Sequence, residues 1–164
     1  MQSKAKDICT DWRASVYFQV YPASHQIERI LLIISNSSAE RPRLVRLISP
    51  VNASVHDLLL IDSPKFHFVF DFGLNIEVYH LTIRGANLGS YDGIDAIGTN
   101  YWVHDNEVTN RDECVSIKSP SNHALVTDLV CNQAGSGISI GSLNVSASIA
   151  NIVSQLHNQI GSDN

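Results

Sequence analysis

Three acidic side chains are spaced along the chain so that they could meet in one site. Asp112 and Glu113 are adjacent, and Asp92 precedes Glu113 by an offset of 113 − 92 = 21. Ser136 follows Glu113 by an offset of 136 − 113 = 23. Since both offsets are close to one structural repeat of this chain, we expect Asp92, Glu113 and Ser136 to form one column, with Asp112 beside it.

Crowded carboxyl groups suit acid–base chemistry on a sugar linkage. Their mutual repulsion raises at least one pKa, which leaves a proton donor beside ionised partners. Glycoside cleavage uses that combination, because one acid protonates the leaving oxygen while another carboxylate activates water or attacks carbon. Acidic residues on solvated turns would explain a single carboxylate, but a column of acids flanked by glycines favours a site. This chemistry predicts no metal and no cofactor.

The position of Asp92 depends on the element that follows it. Alternation along the segment after it would place Asp92 on the same side as the buried Ile94. We therefore expect Asp92 in the turn before the strand, where Gly93 lets the backbone direct its carboxyl group toward the site.

An internal repeat sets the fold class. An asparagine followed by apolar residues at +3 and +8 begins at Asn52, Asn75, Asn100 and Asn122, and a weaker copy starts near Ser146. Short, β-branched segments with a period of two precede each asparagine and indicate strands. Successive copies are roughly 22 to 25 residues apart, which is typical of solenoid coils.

We therefore predict an all-β fold, a right-handed single-stranded parallel β-helix of about five coils. The recurring asparagines would form a hydrogen-bonded ladder along one turn. A leucine-rich repeat shares the period, but valine, isoleucine and asparagine dominate here.

The coil pattern covers only part of the chain. Residues 1–40 lack it and would form a cap or a poorly ordered segment, 41–153 form the partial β-helix, and 154–164 form an irregular tail. The chain therefore looks truncated. The N-terminal segment is polar and unlike a signal peptide, and no apolar run has the roughly 18 residues of a membrane helix.

Charge and cysteine content restrict the partners. With 11 basic and 16 acidic residues, the net charge of −5 disfavours a nucleic-acid binder. An acidic polysaccharide would need a local basic cluster. Of Cys9, Cys114 and Cys131, the last two have an offset of 131 − 114 = 17, so a coil-sized separation could join them. Three buried free thiols are the alternative.

Three motifs resemble glycoside hydrolase family 28, the polygalacturonases and rhamnogalacturonan hydrolases. The family has Asn-Thr-Asp-Gly-Ile-Asp, Asp-Asp-Cys and Gly-His-Gly stretches. This chain has Ser90-Tyr-Asp-Gly-Ile-Asp, Asp112-Glu-Cys and Gly135-Ser-Gly in the same order. Glutamate in the second motif and Ser136 in place of histidine resemble the rhamnogalacturonan hydrolase branch, as does Trp102-Val-His-Asp. The family's fourth motif, Arg-Ile-Lys, has no counterpart here.

The resemblance implies a pectin-lyase-like solenoid and roles for its residues. Asp112 would be the general acid, while Asp92 and Glu113 would hold and deprotonate the attacking water, with inversion at carbon. The resemblance also implies a disulfide between Cys114 and Cys131, pinning the strand that bears the acids to the next coil.

The substrate that the resemblance implies is rhamnogalacturonan I, a pectic polysaccharide. Lys118 and Arg84 would meet its carboxylates, and Ser136 would lie at the substrate. An extracellular monomer without nucleic-acid or membrane partners is expected.

Three alternatives stay open. One is a polygalacturonase acting on homogalacturonan, and another is an inactive, non-catalytic β-helix fragment. The third is a pectate-lyase-like eliminating enzyme, which would use calcium and an arginine base, and the Asp-Glu-Cys arrangement argues against it.

Overall fold

The computed structural model describes residues 15–18, 43–85, 91–141 and 143–160. Within those ranges the chain forms strands and no helix. The strands are β1 Ser15–Phe18, β2 Val45–Ile48, β3 Val51–His56, β4 Leu58–Ile61, β5 Phe68–Tyr79, β6 Thr82–Arg84, β7 Ile94–Thr109, β8 Glu113–Asn132, β9 Ser136–Ile140 and β10 Ile149–Ile160. No helix that could span a membrane was found in this part of the chain.

The strands wind into a parallel β-helix. One column of paired residues runs through five layers, from Val45 to Phe68, Ile94, Val115 and Ile138. Four turns of the solenoid join these layers, and each takes roughly 21 to 26 residues, as solenoid repeats do. The predicted fold class is therefore confirmed, and the five layers match the expected coils. The right-handed winding stays a prediction, which agrees with the strong preference of parallel crossovers.

Apolar side chains that repeat once per coil fill the interior. Leu60, Ile83, Val108 and Cys131 occupy one such column, and all four have no solvent exposure. Because each interior residue stacks on its counterpart in the next coil, a change of coil length at a strand would misplace the whole column. This stacking fixes the register of the turns that carry the acidic residues.

The asparagine ladder is present in two stretches, which are separated because Asn122 pairs in register with Thr99 and not with Asn100. The Asn75 Nδ2 donates to Asn52 Oδ1 at 2.7 Å, and Asn100 Nδ2 donates to Asn75 Oδ1 at 2.7 Å. Asn151 Nδ2 donates to Asn122 Oδ1 at 2.9 Å. Asn151, and not the weaker copy predicted near Ser146, therefore supplies the fifth rung, because the segment before β10 forms a longer turn.

Positive φ angles explain why asparagine recurs at this turn. Asn52, Asn75, Asn100 and Asn151 have φ between 51° and 56°. Asparagine tolerates this left-handed conformation better than most residues. The repeat in the sequence thus records a backbone requirement as well as the hydrogen bonds between coils.

Both ends of the described solenoid differ from a simple coil. β1 pairs antiparallel with β4, so part of the N-terminal segment lies against the first coil. Otherwise the cap expected of residues 1–40 lies outside the described residues. β10 continues to Ile160, through residues assigned from sequence to an irregular tail. Two register shifts near Leu156 interrupt the alternation there, which hides the strand in the sequence.

Candidate active site

The structure gathers the three predicted catalytic acids in one place. One carboxylate oxygen from each of Asp92, Asp112 and Glu113 lies within 4.8 Å of the others. Asp92 precedes β7, Asp112 precedes β8 and Glu113 begins β8. Glu113 pairs in register with Ser136. The column inferred from spacing is present, with Asp112 beside it as expected.

The backbone next to Asp92 packs closely against the neighbouring coil, and only glycine fits at position 93. A Cβ atom at Gly93 would lie 2.6 Å from the carbonyl oxygen of Cys114 and 2.6 Å from Val108. The Gly93 N–H donates to the Glu113 carbonyl oxygen at 2.8 Å. Asp92 is consequently drawn into the turn and is only 5% exposed. The predicted placement of Asp92 in the turn before the strand is therefore confirmed.

Asn110 links the two turns that carry the acids. Its Nδ2 donates to the Tyr91 carbonyl oxygen at 3.0 Å and to the Glu113 carbonyl oxygen at 2.8 Å. Tyr91 directly precedes Asp92, and Glu113 is itself one of the acids. The buried Asn110 amide therefore holds the turns that carry Asp92 and Glu113 at a fixed separation.

His67 supports Asp92 from the preceding coil. Its Nδ1 and its backbone N–H both lie 3.1 Å from the Asp92 carbonyl oxygen. The Ser63 N–H donates to His67 Nε2 at 3.4 Å. A carbonyl oxygen can only accept and an N–H can only donate, so the ring is neutral with its proton on Nδ1. Burial lowers the pKa of His67, which agrees with that state.

A disulfide joins Cys114 and Cys131, with 5.8 Å between the Cα atoms. Both residues belong to β8, so the bond joins two ends of the same coil. The prediction that it would pin this strand to the next coil is therefore wrong. Cys114 directly follows Glu113, and the crosslink therefore anchors the start of the strand that carries this acid. The pairing itself, implied by the family resemblance, is present.

Lys118 neutralises part of the acidic cluster. Its Nζ lies 3.1 Å from Asp92 Oδ2 and 2.9 Å from Asp95 Oδ2. The Lys118 side chain is 20% exposed, and the two carboxylates are nearly buried. Burial lowers the pKa of Lys118, but its electrostatic and hydrogen-bond interactions with Asp95 and Asp92 outweigh burial and raise the pKa overall. Lys118 is therefore a cation at this site.

The two carboxyl groups beside Lys118 differ in protonation. Burial, followed by the hydrogen bond with Asp92 and its charge, raises the pKa of Asp95 to about 8. Burial also opposes ionisation of Asp92, but hydrogen bonding to Asp95 and the nearby Lys118 outweigh it and lower its pKa. At neutral pH, Asp92 is thus an anion and Asp95 keeps its proton.

Asp112 and Glu113 form another hydrogen-bonded pair of carboxyl groups. The hydrogen bond with Asp112 raises the pKa of Glu113 to about 7, and burial adds to the effect. The site therefore combines an ionised carboxylate, Asp92, with a pair that still holds a proton near neutrality. These are the two states that glycoside cleavage requires.

Of the predicted substrate-binding residues, the structure brings two to the acids. Lys118 contacts Asp92, and Ser136 stacks on Glu113. Arg84 instead donates from Nη2 to Glu107 Oε1 at 2.9 Å and from Nη1 to Thr109 Oγ1 at 3.0 Å. Since Glu107 neutralises it, we do not place Arg84 in the binding machinery.

Sequence reasoning left out the supporting residues His67 and Asn110 and the buried proton on Asp95. A signal for His67 was present, because it precedes Asp92 by one coil step. Asp95 alternates with the buried Ile94 and Ala96, which places it on the outer face. Its raised pKa depends on burial and on its hydrogen bond with Asp92, which spacing does not reveal.

The three acids could also ligate a divalent cation through their oxygens, since hard cations favour carboxylates. Lys118 already neutralises Asp92, and a pair holding a proton is a poorer ligand than two carboxylates. The protonation states therefore favour acid–base chemistry over cation binding at this cluster.

Comparison with known proteins agrees with the motifs and the fold. The family described as glycosyl hydrolases family 28 matches residues 33–164. Rhamnogalacturonase A of Emericella nidulans is 50% identical over 119 residues, which are 73% of this chain and 23% of that protein. A probable rhamnogalacturonase A of Aspergillus niger is 51% identical over 112 residues, 68% of this chain and 25% of that protein. Rhamnogalacturonase A of Aspergillus aculeatus is 50% identical over 111 residues, again 68% and 25%. The chain thus spans about a quarter of the length of these curated relatives, and the family match over most of its residues shows that it belongs to glycosyl hydrolases family 28.

Proposed function

We propose that this chain carries the acid–base site of a glycoside hydrolase that cleaves the galacturonate–rhamnose backbone of rhamnogalacturonan I. The observation that carries the proposal is the cluster of Asp92, Asp112 and Glu113 within 4.8 Å, with unlike protonation. Relatives named rhamnogalacturonases, at 50% and 51% identity, support this substrate over homogalacturonan.

In the proposed reaction, Asp112 delivers the proton that it shares with Glu113 to the leaving glycosidic oxygen. Asp92, which is ionised at neutral pH, and Glu113, once it has lost its proton, orient and deprotonate the attacking water. Lys118 lies at the edge of this cluster, where its charge compensates Asp92 in the resting site. We assign it a contact with the substrate as well.

Product stereochemistry is the sharpest test of this mechanism. Inverting enzymes usually separate acid and base by about 6.5–9.5 Å, and retaining enzymes by about 5–5.5 Å. One oxygen of each acid lies within 4.8 Å of the others, which is shorter than either separation, so the inverting outcome rests on the proposed roles of the acids and not on this distance. NMR of the first-formed product should show the inverted anomer, and a retained anomer would overturn the assignment of Asp92 and Glu113 to water.

The substrate is tested by comparing polysaccharides. We expect new reducing ends from rhamnogalacturonan I, slower release from homogalacturonan, and no unsaturated product absorbing in the ultraviolet. Asp112→Asn, which removes the acid with little change of shape, should abolish release. Faster cleavage of homogalacturonan would reassign the chain to polygalacturonase action. A folded, monodisperse sample without turnover at high concentration would instead favour the non-catalytic alternative.

An extracellular location follows from the same proposal. The Cys114–Cys131 disulfide is of a kind that persists in oxidising compartments and is rare in the cytosol. Pectic polysaccharides are likewise found outside cells. We expect the protein to act there as a monomer, which size-exclusion chromatography would check.

A further inference from the structure

Three cations converge on the ring of Phe66, next to the acidic cluster. The distances to the ring centroid are 4.6 Å from Lys118 Nζ, 5.0 Å from Lys65 Nζ and 5.4 Å from Arg43 Cζ. A ring face attracts cations at these distances. In a chain with net charge −5, this is a local basic cluster of the kind that an acidic polysaccharide would require.

The cluster extends the column that carries the catalytic acids. The paired residues Val45, Phe68 and Ile94 place the residues two positions earlier, Arg43, Phe66 and Asp92, in one stack. The Leu44 N–H donates to the Phe66 carbonyl oxygen at 3.0 Å, as expected for that register. Coils stack at about 4.8 Å, so Arg43 lies about 10 Å along the column from Asp92.

Arg43 and Lys65 differ from Arg46, Arg84 and Lys118, which have acidic partners in the described part of the chain. Over the described residues, neither forms an ion pair, and Arg43 Nε is buried without a hydrogen bond. Arg46 and Arg84, by comparison, pair with Asp71 and Glu107. Lys118 pairs with carboxylates of the acidic cluster itself. Both unpaired side chains are partly exposed, so an anion can reach them.

The loop that carries Lys65 and Phe66 is built into the site. The Ser63 hydroxyl donates to the Phe66 carbonyl oxygen at 2.7 Å, and the Lys65 N–H donates to Ser63 Oγ at 3.3 Å. His67, the next residue, is bonded to the Asp92 carbonyl oxygen. These contacts give the backbone of Lys65 and Phe66 a fixed position relative to the reacting acids.

We infer that Arg43 and Lys65 form a subsite for the carboxylate of a uronate residue next to the cleaved linkage. This inference rests on the proposed function and adds the position where the polymer's negative charge is held. The polymer would run along the coil stack, crossing the acids on one side and this basic cluster on the other. Arg43 offers a planar, two-pronged contact and Lys65 a point charge, with Phe66 holding both.

The test measures binding without turnover, in the Asp112→Asn background of the full chain. Isothermal titration would use a galacturonate-containing rhamnogalacturonan oligosaccharide, its carboxyl-reduced counterpart, and inorganic phosphate. We expect Arg43→Gln and Lys65→Gln each to weaken binding of the anionic oligosaccharide about tenfold, the usual effect of losing a charged hydrogen bond. Binding of the reduced oligosaccharide should not change, and phosphate alone should bind weakly.

Arg84→Gln provides a matched comparison, since it removes the same charge from a guanidinium that Glu107 already neutralises. We expect less than a twofold loss from it. Arg43→Lys, which keeps the charge, should recover part of the loss and shows whether Arg43→Gln acted through folding. An equal loss in Arg84→Gln, or an equal loss for the reduced oligosaccharide, would overturn the subsite.

The outcome separates this inference from the proposed function. Carboxylate-dependent binding that requires Arg43 and Lys65, without hydrolysis by the unmutated chain, would remove the proposed function and keep the subsite. Hydrolysis of rhamnogalacturonan I together with binding that ignores both substitutions would do the reverse.

Discussion

The buried proton on Asp95 makes a quantitative prediction about stability and pH. The pKa of Asp95 in the folded protein is raised to about 8, above its ordinary value of 3.8. A raised folded pKa means that its contribution to stability is complete below the unfolded pKa and is lost as pH rises toward the folded pKa. Between these values the unfolded chain has released the proton while the folded chain holds it.

Asp95→Asn removes this titration and keeps the shape of the protonated acid. Since the slope is about 1.4 kcal/mol per pH unit, the free energy of unfolding of the unmutated chain should fall by about 2.7 kcal/mol relative to Asp95→Asn between pH 5 and 7. For a chain of this size that corresponds to roughly 5–10 °C in Tm. The difference should level off above pH 8, because Asp95 is then ionised in both states.

Urea unfolding followed by circular dichroism at several pH values would measure this difference. Asp62→Asn, which removes an exposed carboxylate outside the cluster, serves as the control and should follow the unmutated chain. Parallel stability curves for Asp95→Asn and the unmutated protein from pH 5 to 7 would refute the argument. They would mean that Lys118 keeps Asp95 ionised in the folded state.

Four further outcomes follow from the site. Hydrolysis should decline as pH rises through about 7, because the pair of Glu113 and Asp112 then loses its proton, and a pH–rate profile would reveal the fall. Chelation with EDTA should leave the rate unchanged if no cation takes part, and any loss restored by calcium would contradict this. Gly93→Ala should lower stability by about 1–3 kcal/mol, since its Cβ would collide with backbone, and thermal unfolding would report it. Reduction of Cys114–Cys131 should cost about 3 kcal/mol for its loop of 17 residues, with an unchanged urea midpoint counting against this expectation.

The fold and the acidic column could be predicted because both depend on spacing alone. A parallel solenoid repeats its register once per coil, so a step of one coil from Asp92 to Glu113 is enough to predict that they stack. The asparagine ladder was visible for a related reason, since the left-handed backbone position of this turn is occupied by asparagine in four coils and by His123 in the other.

Other features depend on details that the repeat spacing in the sequence does not determine. The strand after Val153 was missed because the register shifts of β10 interrupt its alternation. The disulfide was expected to join two coils, yet the cysteines lie at opposite ends of one, a difference that their separation along the chain could not resolve. The ion pairs of Lys118 and Arg84 depend on side-chain direction, so both residues were expected from sequence to have the same role.

The longer turn before β10 shows how the coils of this solenoid can change in length without moving the acidic site. That turn lengthens its coil, yet Ser136 still pairs with Glu113, since the extra residues lie beyond the strand that sets the stacking. Insertions in this turn therefore leave the acidic residues in place, while a residue beside the site can be exchanged by replacing a single coil. Natural variants of this scaffold should accordingly diversify their specificity one layer at a time.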